Sequence, residues 1–297
     1  MYWNSLNDSL RRRYGRKVYK LALSSGCSCP NRDGTLGSRG CIFCDGAGAF
    51  AETGDIPAQL AAARRRVAAK AGQDPRFIAY FQSFTNTYAP VERLRELYTA
   101  AMAPEDVVVL SVATRPDCLP PETLALLEEL NRKKPVWVEL GLQTIHPASA
   151  AYIRRGYDLP VFDQAVHRLK EAGITVVVHQ ILGLPGETEA MMAATARYIG
   201  ASGADGIKFH LLHVLRGTDL AGEWAAGRVS CLELEAYIAA LEACLRSIPR
   251  SMVVHRLTGD GAKRDLLAPL WSGDKKRVLN AIHHSFLRDD LEQGSAL

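Results

Sequence analysis

Four of the chain's seven cysteines, Cys27, Cys29, Cys41 and Cys44, fall within 18 residues, while Cys118, Cys231 and Cys244 are scattered. Cys41 and Cys44 form a Cys-x-x-Cys pair, and eleven residues separate Cys29 from it. Thiolates at such spacing suit zinc or an iron-sulfur cluster. Four of them would close a zinc site, whereas three on a cluster would leave one iron open to a chelating molecule. Glycines at 34, 37, 40, 46 and 48 allow the backbone to fold tightly around a bulky inorganic centre. Seven cysteines are too few for a disulfide scaffold of this length, so the cluster reads as a metal site in a reducing, cytoplasmic compartment.

Other polar residues fall after apolar runs. Gln82-Ser83-Phe84-Thr85-Asn86-Thr87-Tyr88 is a hydrogen-bonding stretch, and Arg115 could clamp a carboxylate or pair with its neighbour Asp117. Glu139, Gly141 and Gln143 alternate, which places them on one side of a strand. Gly183-Leu184-Pro185-Gly186 makes a turn ahead of Glu187. Lys208, His210 and His213 are the candidate catalytic groups, although a histidine in an apolar strand is more often structural.

The elements that must carry these residues alternate short β-branched runs with helical patterns, the signature of βα units and a parallel sheet. Strands are expected over 18–23, 77–81, 107–112, 136–140, 174–180 and 206–211. Helices are expected over 57–71, 90–102, 121–132, 161–172 and 187–201. Periodicity does not choose between an open doubly wound sheet and a partly closed barrel, and in both cases ligands sit at the C-terminal strand ends. A metal loop directly after the first strand therefore stands where active sites collect. Beyond residue 220 the pattern changes to a helix over 232–245, a strand over 252–257 and a basic helical tail over 263–291. This divides the chain into a basic N-terminal segment (1–17), a core (18–217) and a C-terminal extension packed on it (218–297).

With 297 residues, 47% hydrophobic and 23% charged, the chain can bury a substantial core and is neither fibrous nor disordered. No apolar run is long enough to span a bilayer, and the polar, basic N-terminus does not read as a signal peptide. Thirty-six Lys and Arg oppose 32 Asp and Glu, a net charge of +4, with basic runs at Arg11-Arg12-Arg13, Arg16-Lys17, Arg64-Arg65-Arg66, Arg132-Lys133-Lys134 and Lys275-Lys276-Arg277. Such runs usually form solvated helix faces, and they also permit an RNA partner.

Several segments together resemble a radical S-adenosylmethionine (SAM) enzyme of the branch that includes the elongator catalytic subunit, and within it the YhcC-like family. They are Cys29-Pro-Asn-Arg-Asp-Gly with Gly-Cys41-Ile-Phe-Cys44, Phe81-Gln-Ser-Phe-Thr-Asn-Thr-Tyr-Ala-Pro90, and Thr114-Arg-Pro-Asp-Cys118. Glu139-Leu-Gly-Leu-Gln-Thr144, Gly183-Leu-Pro-Gly-Glu187, Ile207-Lys-Phe-His-Leu-Leu-His-Val214, His255-Arg-Leu-Thr-Gly-Asp260 and Ala268-Pro-Leu-Trp271 continue the likeness. The resemblance implies a partial (β/α)6 TIM-like barrel with a [4Fe-4S] cluster on Cys29, Cys41 and Cys44, and Cys27 as a spare thiol nearby. It implies that Phe43 packs near the adenine of SAM, that Gln143 helps hold SAM, and that the Gly183–Glu187 turn supports its adenine side. The usual Gly-Gly-Glu after the second strand is absent, so Ser83, Thr85 and Asn86 are the nearest candidates for the methionine amine. Arg115, Glu139 and His213 complete the candidate cofactor contacts.

The chemistry so implied is reductive cleavage of SAM to a 5′-deoxyadenosyl radical that abstracts hydrogen from a substrate. A tRNA nucleoside is the favoured substrate, with a small metabolite or peptide as the alternative. A reductant such as flavodoxin or ferredoxin would be the partner. A zinc-stabilised binding protein without catalytic activity is the rival from another class.

Overall fold

A computed structural model describes residues 2–45, 54–259, 261 and 263–297. Gly46 and Gly48 of the cysteine loop, and Asp260 of the tail motif, lie outside the described residues. The chain begins with α1 (Leu6–Tyr14) and β1 (Val18–Leu23), then alternates α2 (Ile56–Ala71), β2 (Arg76–Phe81), α3 (Val91–Met102), β3 (Val107–Thr114), α4 (Pro121–Asn131) and β4 (Val136–Gln143). Two helices, α5 (Pro147–Tyr152) and α6 (Leu159–Glu171), lead to β5 (Thr175–Leu182), α7 (Glu189–Ala201) and β6 (Gly206–Leu211). The remainder holds β7 (Val214–Leu215), α8 (Asp219–Ala225), α9 (Leu234–Arg246), β8 (Val253–Arg256), β9 (Leu266–Ala268) and α10 (Lys275–Arg288).

Seven strands form one parallel sheet in the order β1-β2-β3-β4-β5-β6-β8, curled into a half-barrel. The six expected strands are all present, and β1 and β6 have the expected limits. Strands β3 and β4 run two or three residues beyond their expected ends because polar residues there still pair with neighbours, Thr114 with Leu140 and Gln143 with Gln180, and β5 runs on two residues by pairing Ile181 and Leu182 with β6. The tail differs from the continuous helical pattern expected over 263–291. Pro269 cannot continue a helix, and the segment before it instead pairs as β9, antiparallel to β7, ahead of α10.

The basic N-terminal segment contains a capped helix. The Ser5 side chain accepts from the Asp8 N–H, and Gly15 closes the helix in a left-handed conformation at φ 69°. The sheet ends, β1 and β8, are not paired with each other. Helix α1 packs on both, and the Val254 N–H donates to the Asn4 carbonyl at 2.8 Å. Leu10, 4% exposed, reaches from α1 into an apolar layer with Val18, Ile78, Val109 and Trp137. Burying one such leucine contributes about 2 kcal/mol. This layer closes the interior below a polar layer, and the cysteine loop crosses the opposite end, after β1. Among the described residues no helix is long and apolar enough to cross a membrane.

Candidate active site

The cysteine loop is held by its own backbone and by the turn after α5. The Gly40 N–H donates to the Asn31 carbonyl at 2.7 Å, and the Cys44 N–H donates to the Cys41 carbonyl at 3.0 Å. The Arg32 guanidinium donates to the Cys44 carbonyl at 2.6 Å and passes so close to Gly40 that a Cβ there would lie 2.8 Å from its Nε. Asn31 Nδ2 lies 3.5 Å from Cys41 Sγ and donates to the Arg154 carbonyl at 2.7 Å. Burial and the neighbouring Cys44 push the Cys41 thiol up to about 11, so binding a cation there would release its proton.

Cys29, Cys41 and Cys44 line one cavity with Phe43, Thr85, Arg115, Glu139, Gln143 and His210. The three thiols are the donor chemistry an iron-sulfur cluster requires. Among the described residues no group of three His, Cys, Asp or Glu is gathered so as to hold a single metal ion. A cubane held at its corners does not need that convergence. Thr85 Oγ1 is buried in this wall without a protein partner, a polar group left for a bound ligand.

The wall opposite the cysteines is shaped by β4. Gln143 adopts φ 69° where the β4–β5 register shifts, which turns its amide toward Gly141. The Tyr157 hydroxyl donates to the Gly141 carbonyl, and Arg155 donates to the Thr144 carbonyl at 2.7 Å while lying 4.6 Å over the Tyr157 ring. Arg115 clamps Asp117 bidentately at 2.9 and 2.7 Å, so the carboxylate it holds is the local one.

The floor is an ion-pair network centred on Glu139. Its Oε1 accepts from Lys20 Nζ at 2.9 Å and Ser111 Oγ at 2.8 Å. Its Oε2 accepts from His179 Nε2 at 2.7 Å and Lys208 Nζ at 2.8 Å. Lys208 also donates to the Tyr80 hydroxyl at 2.7 Å. Register explains part of the assembly, because His179 pairs with Lys208, and Lys208 with Arg256. Burial alone would raise the Glu139 pKa, but Lys20, Lys208 and the His179 N–H hold it well below the usual carboxylate range. Burial lowers Lys208 to about 7 against the pull of Glu139, and positive neighbours Lys20 and Arg256 add to the drop. Burial and Lys208 lower His179 to about 4.

Several expected residues stand away from this cavity. Asn86 is a staple: Nδ2 donates to the Phe81 and Ala113 carbonyls at 3.1 and 2.8 Å, and Oδ1 accepts from Ser25 Oγ at 2.7 Å. Ser83 is buried and outside the lining. Gly183 packs against Leu232, and Glu187 accepts from Thr144 Oγ1 at 2.5 Å. His213 Nε2 meets Ser272 Oγ at 3.0 Å, against the tail. Lys208 lies beneath the cavity, joined to it through Glu139. Residues that sequence reasoning missed are Lys20, Tyr80, Arg155, Tyr157, His179 and Arg256. Lys20 carried a signal, the one charged side chain of an apolar strand, and His179 another, a titratable group directly after three valines. Arg155 and Tyr157 sit in a loop and carried none.

A parallel half-barrel with a cysteine-lined cavity at its C-terminal end is the arrangement of a radical SAM enzyme, and the chain belongs to that superfamily. The Radical SAM superfamily model matches residues 34–199, and the Radical_SAM C-terminal domain model matches residues 204–288. Such enzymes carry a [4Fe-4S] cluster and use SAM. The chain is 44% identical over 285 residues to protein YtqA of Bacillus subtilis (strain 168), covering 95% of this chain and 88% of that one. It is 39% identical over 295 residues to protein YhcC of Escherichia coli (strain K12), covering 99% and 95%. A shorter match, 26% identical, links 55% of this chain to 32% of the tRNA uridine(34) acetyltransferase of Methanocaldococcus jannaschii. The solved structure of Elp3 from Methanocaldococcus infernus shares the fold at a TM-score of 0.71 and 17% identity. That likeness covers 93% of this chain, which spans 64% of the length of the Elp3 chain.

Proposed function

We propose that Cys29, Cys41 and Cys44 hold the cluster, and that the substrate attacked in this barrel is a nucleoside of tRNA. The observation that carries the site assignment is the single cavity lined by these three cysteines, Phe43 and Gln143. When bound there, the cluster and SAM supply a 5′-deoxyadenosyl radical. The chain's own residues position and shield: Gln143 and Thr85 offer hydrogen bonds to SAM, and Phe43 offers a face for its adenine. Glu187, Asn86 and Arg115 act through the loops they brace; Gly183 and Ser83 lie outside the cavity. His210 is the remaining candidate for contact with substrate, and His213 serves the tail. Flavodoxin or ferredoxin is the proposed electron donor.

Support for tRNA comes from the named activity of the M. jannaschii relative and from exposed cations on adjoining elements. Arg11, Arg12 and Arg13 of α1, with Arg16, Lys17 and Arg65, are exposed, and α1 and α2 both pack against β1. One observation favours the alternative of a small metabolite: the floor beneath the cavity is rich in cations, which suits a small acid.

The test is anaerobic reconstitution, followed by iron and sulfide analysis, 5′-deoxyadenosine assay with dithionite, and nucleoside mass spectrometry of tRNA before and after reaction. Four irons with reductant-dependent 5′-deoxyadenosine and a new nucleoside are expected. Tight, steeply salt-dependent tRNA binding should accompany them. Cleavage of SAM with no change in tRNA and no tRNA binding would overturn the substrate assignment.

A further inference from the structure

Every acceptor position on the Glu139 carboxylate is taken. Four donors, from Lys20, Ser111, His179 and Lys208, converge on its two oxygens. Lys20 and Lys208 therefore share one negative charge. Arg256 lies beside Lys208 in register, and its guanidinium donates to a neutral acceptor, His210 Nδ1, at 2.6 Å. Among the described residues no carboxylate pairs with it.

That bond also fixes the His210 tautomer. A guanidinium only donates, so Nδ1 must accept and the proton sits on Nε2. His210 Nε2 has no protein partner, and neither does Arg256 Nε. His210 lines the cavity of the cysteines. Lys20, Lys208 and Arg256 line a second cavity at the open edge between β1 and β8, and Gln82 borders both. The floor thus presents Lys20, Arg256 and a third, weakly protonated amine, Lys208, against one saturated carboxylate, with unmet donors, between two cavities. Lys208 is buried, and its charge and the unmet donors of His210 and Arg256 are costly there unless a ligand completes them.

We propose that the lumen floor binds an anionic group of the substrate, a carboxylate or a phosphate, through Lys20, Lys208, Arg256 and the Nε2–H of His210. The inference rests on the lumen being the substrate chamber, and it specifies what the substrate must carry. A phosphate would come from a nucleotide and a carboxylate from a small acid; the chemistry recognised is the same. An arriving anion also restores full charge to Lys208, whose proton is held weakly because of burial and its positive neighbours Lys20 and Arg256. The other titratable groups facing it are Glu139, Tyr80, His179, His210 and His255.

Calorimetry on the cluster-reconstituted protein tests this, with inorganic phosphate and succinate titrated separately at ionic strength fixed by chloride. Runs near pH 8 in two buffers of different ionisation enthalpy report proton uptake. The expected result is saturable binding of at least one anion with uptake of a proton, the uptake lost in Lys208→Met. Arg256→Gln should weaken binding by about tenfold or more. Binding of phosphate alone assigns the group to a nucleotide, and binding of succinate alone assigns it to a small acid. No saturable binding of either, binding without proton uptake, or binding unchanged in Arg256→Gln would overturn the proposal. Should Lys208→Met fail to fold, the wild-type uptake and Arg256→Gln decide. SAM cleavage is assayed on the same preparations: cleavage without anion binding removes this subsite alone, whereas lost cleavage in the wild type counts against the radical assignment.

Discussion

Asn31 Nδ2 donates to the carbonyl of Arg154 at 2.7 Å, tying the cysteine loop to a turn 123 residues away in sequence. Gly156 sits behind this tie at φ 81°, where a Cβ would lie 2.9 Å from Asn31 Oδ1 and 3.3 Å from Arg115 Nη2. Gly156→Ala should therefore push the loop out of place and lower iron retention after reconstitution. Gly173→Ala is the control, because its φ of 66° carries the same backbone strain, with open space around the new Cβ. Strain of about 1 kcal/mol should lower its melting temperature without affecting iron. Equal iron contents in the two variants would remove the proposed coupling.

Replacing Cys29, Cys41 or Cys44 by Ala should each abolish cluster binding, read as loss of iron, sulfide and visible absorption. Cys27→Ala should retain all three, since Cys27 does not line the cavity. A Cys27 variant that loses its iron would make the site a four-thiolate centre.

The alternation of strands and helices was legible because its signal is local, whereas the choice of a half-barrel over an open sheet came from the family resemblance. Each β-branched run followed by a proline- or carboxylate-led helix declares one βα unit, and register then follows from the sheet. The loop Cys29–Cys44 was equally plain, since spacing within one loop is written directly in the chain. The floor was not. Lys20, Tyr80, Glu139, His179 and Lys208 come from five different strands, and only the curl of the sheet brings them within hydrogen-bond reach. Asn86 shows the opposite case. A polar residue in a promising loop spends its amide on the Phe81 and Ala113 carbonyls, a local use that residue type alone does not reveal.

Glu139→Gln should be among the most damaging single changes outside the cysteine loop. It keeps the shape but leaves Lys20 and Lys208 without their counter-charge. Breaking a buried ion pair from one side costs about 3–5 kcal/mol. The check is the urea midpoint, and Lys208→Met in the Glu139→Gln background should recover part of the loss by removing the stranded ammonium. No recovery would mean that Lys20, not Lys208, carries the penalty.

Stability should fall on acidification between about pH 6.5 and 4. His179 is held near 4 by burial and Lys208, below its ordinary value of 6.5, so the unfolded chain takes up the proton first as pH drops. The contribution of neutral His179 is complete above about 6.5 and is lost progressively toward 4. Glu139, depressed below its ordinary range, adds a loss of the same sign at still lower pH. His179→Gln, which cannot titrate, should flatten the upper part of this curve in urea unfolding measured across the range. An unchanged slope would assign the acid sensitivity to His210 or His255, which burial also depresses.

The two free margins of the sheet, β1 and β8, meet through α1 and through no ladder of their own. A complete ring of strands can widen only by tearing backbone hydrogen bonds. Here the arc is a clasp fastened by a helix, and the helix is joined to β8 by backbone at Asn4 and Ser5 while its other contacts are side chains such as Leu6 and Leu10. Prising that clasp open would slide greasy surfaces past one another and leave every rung of the sheet intact. The two margins are then held together by the grip of one amphipathic helix.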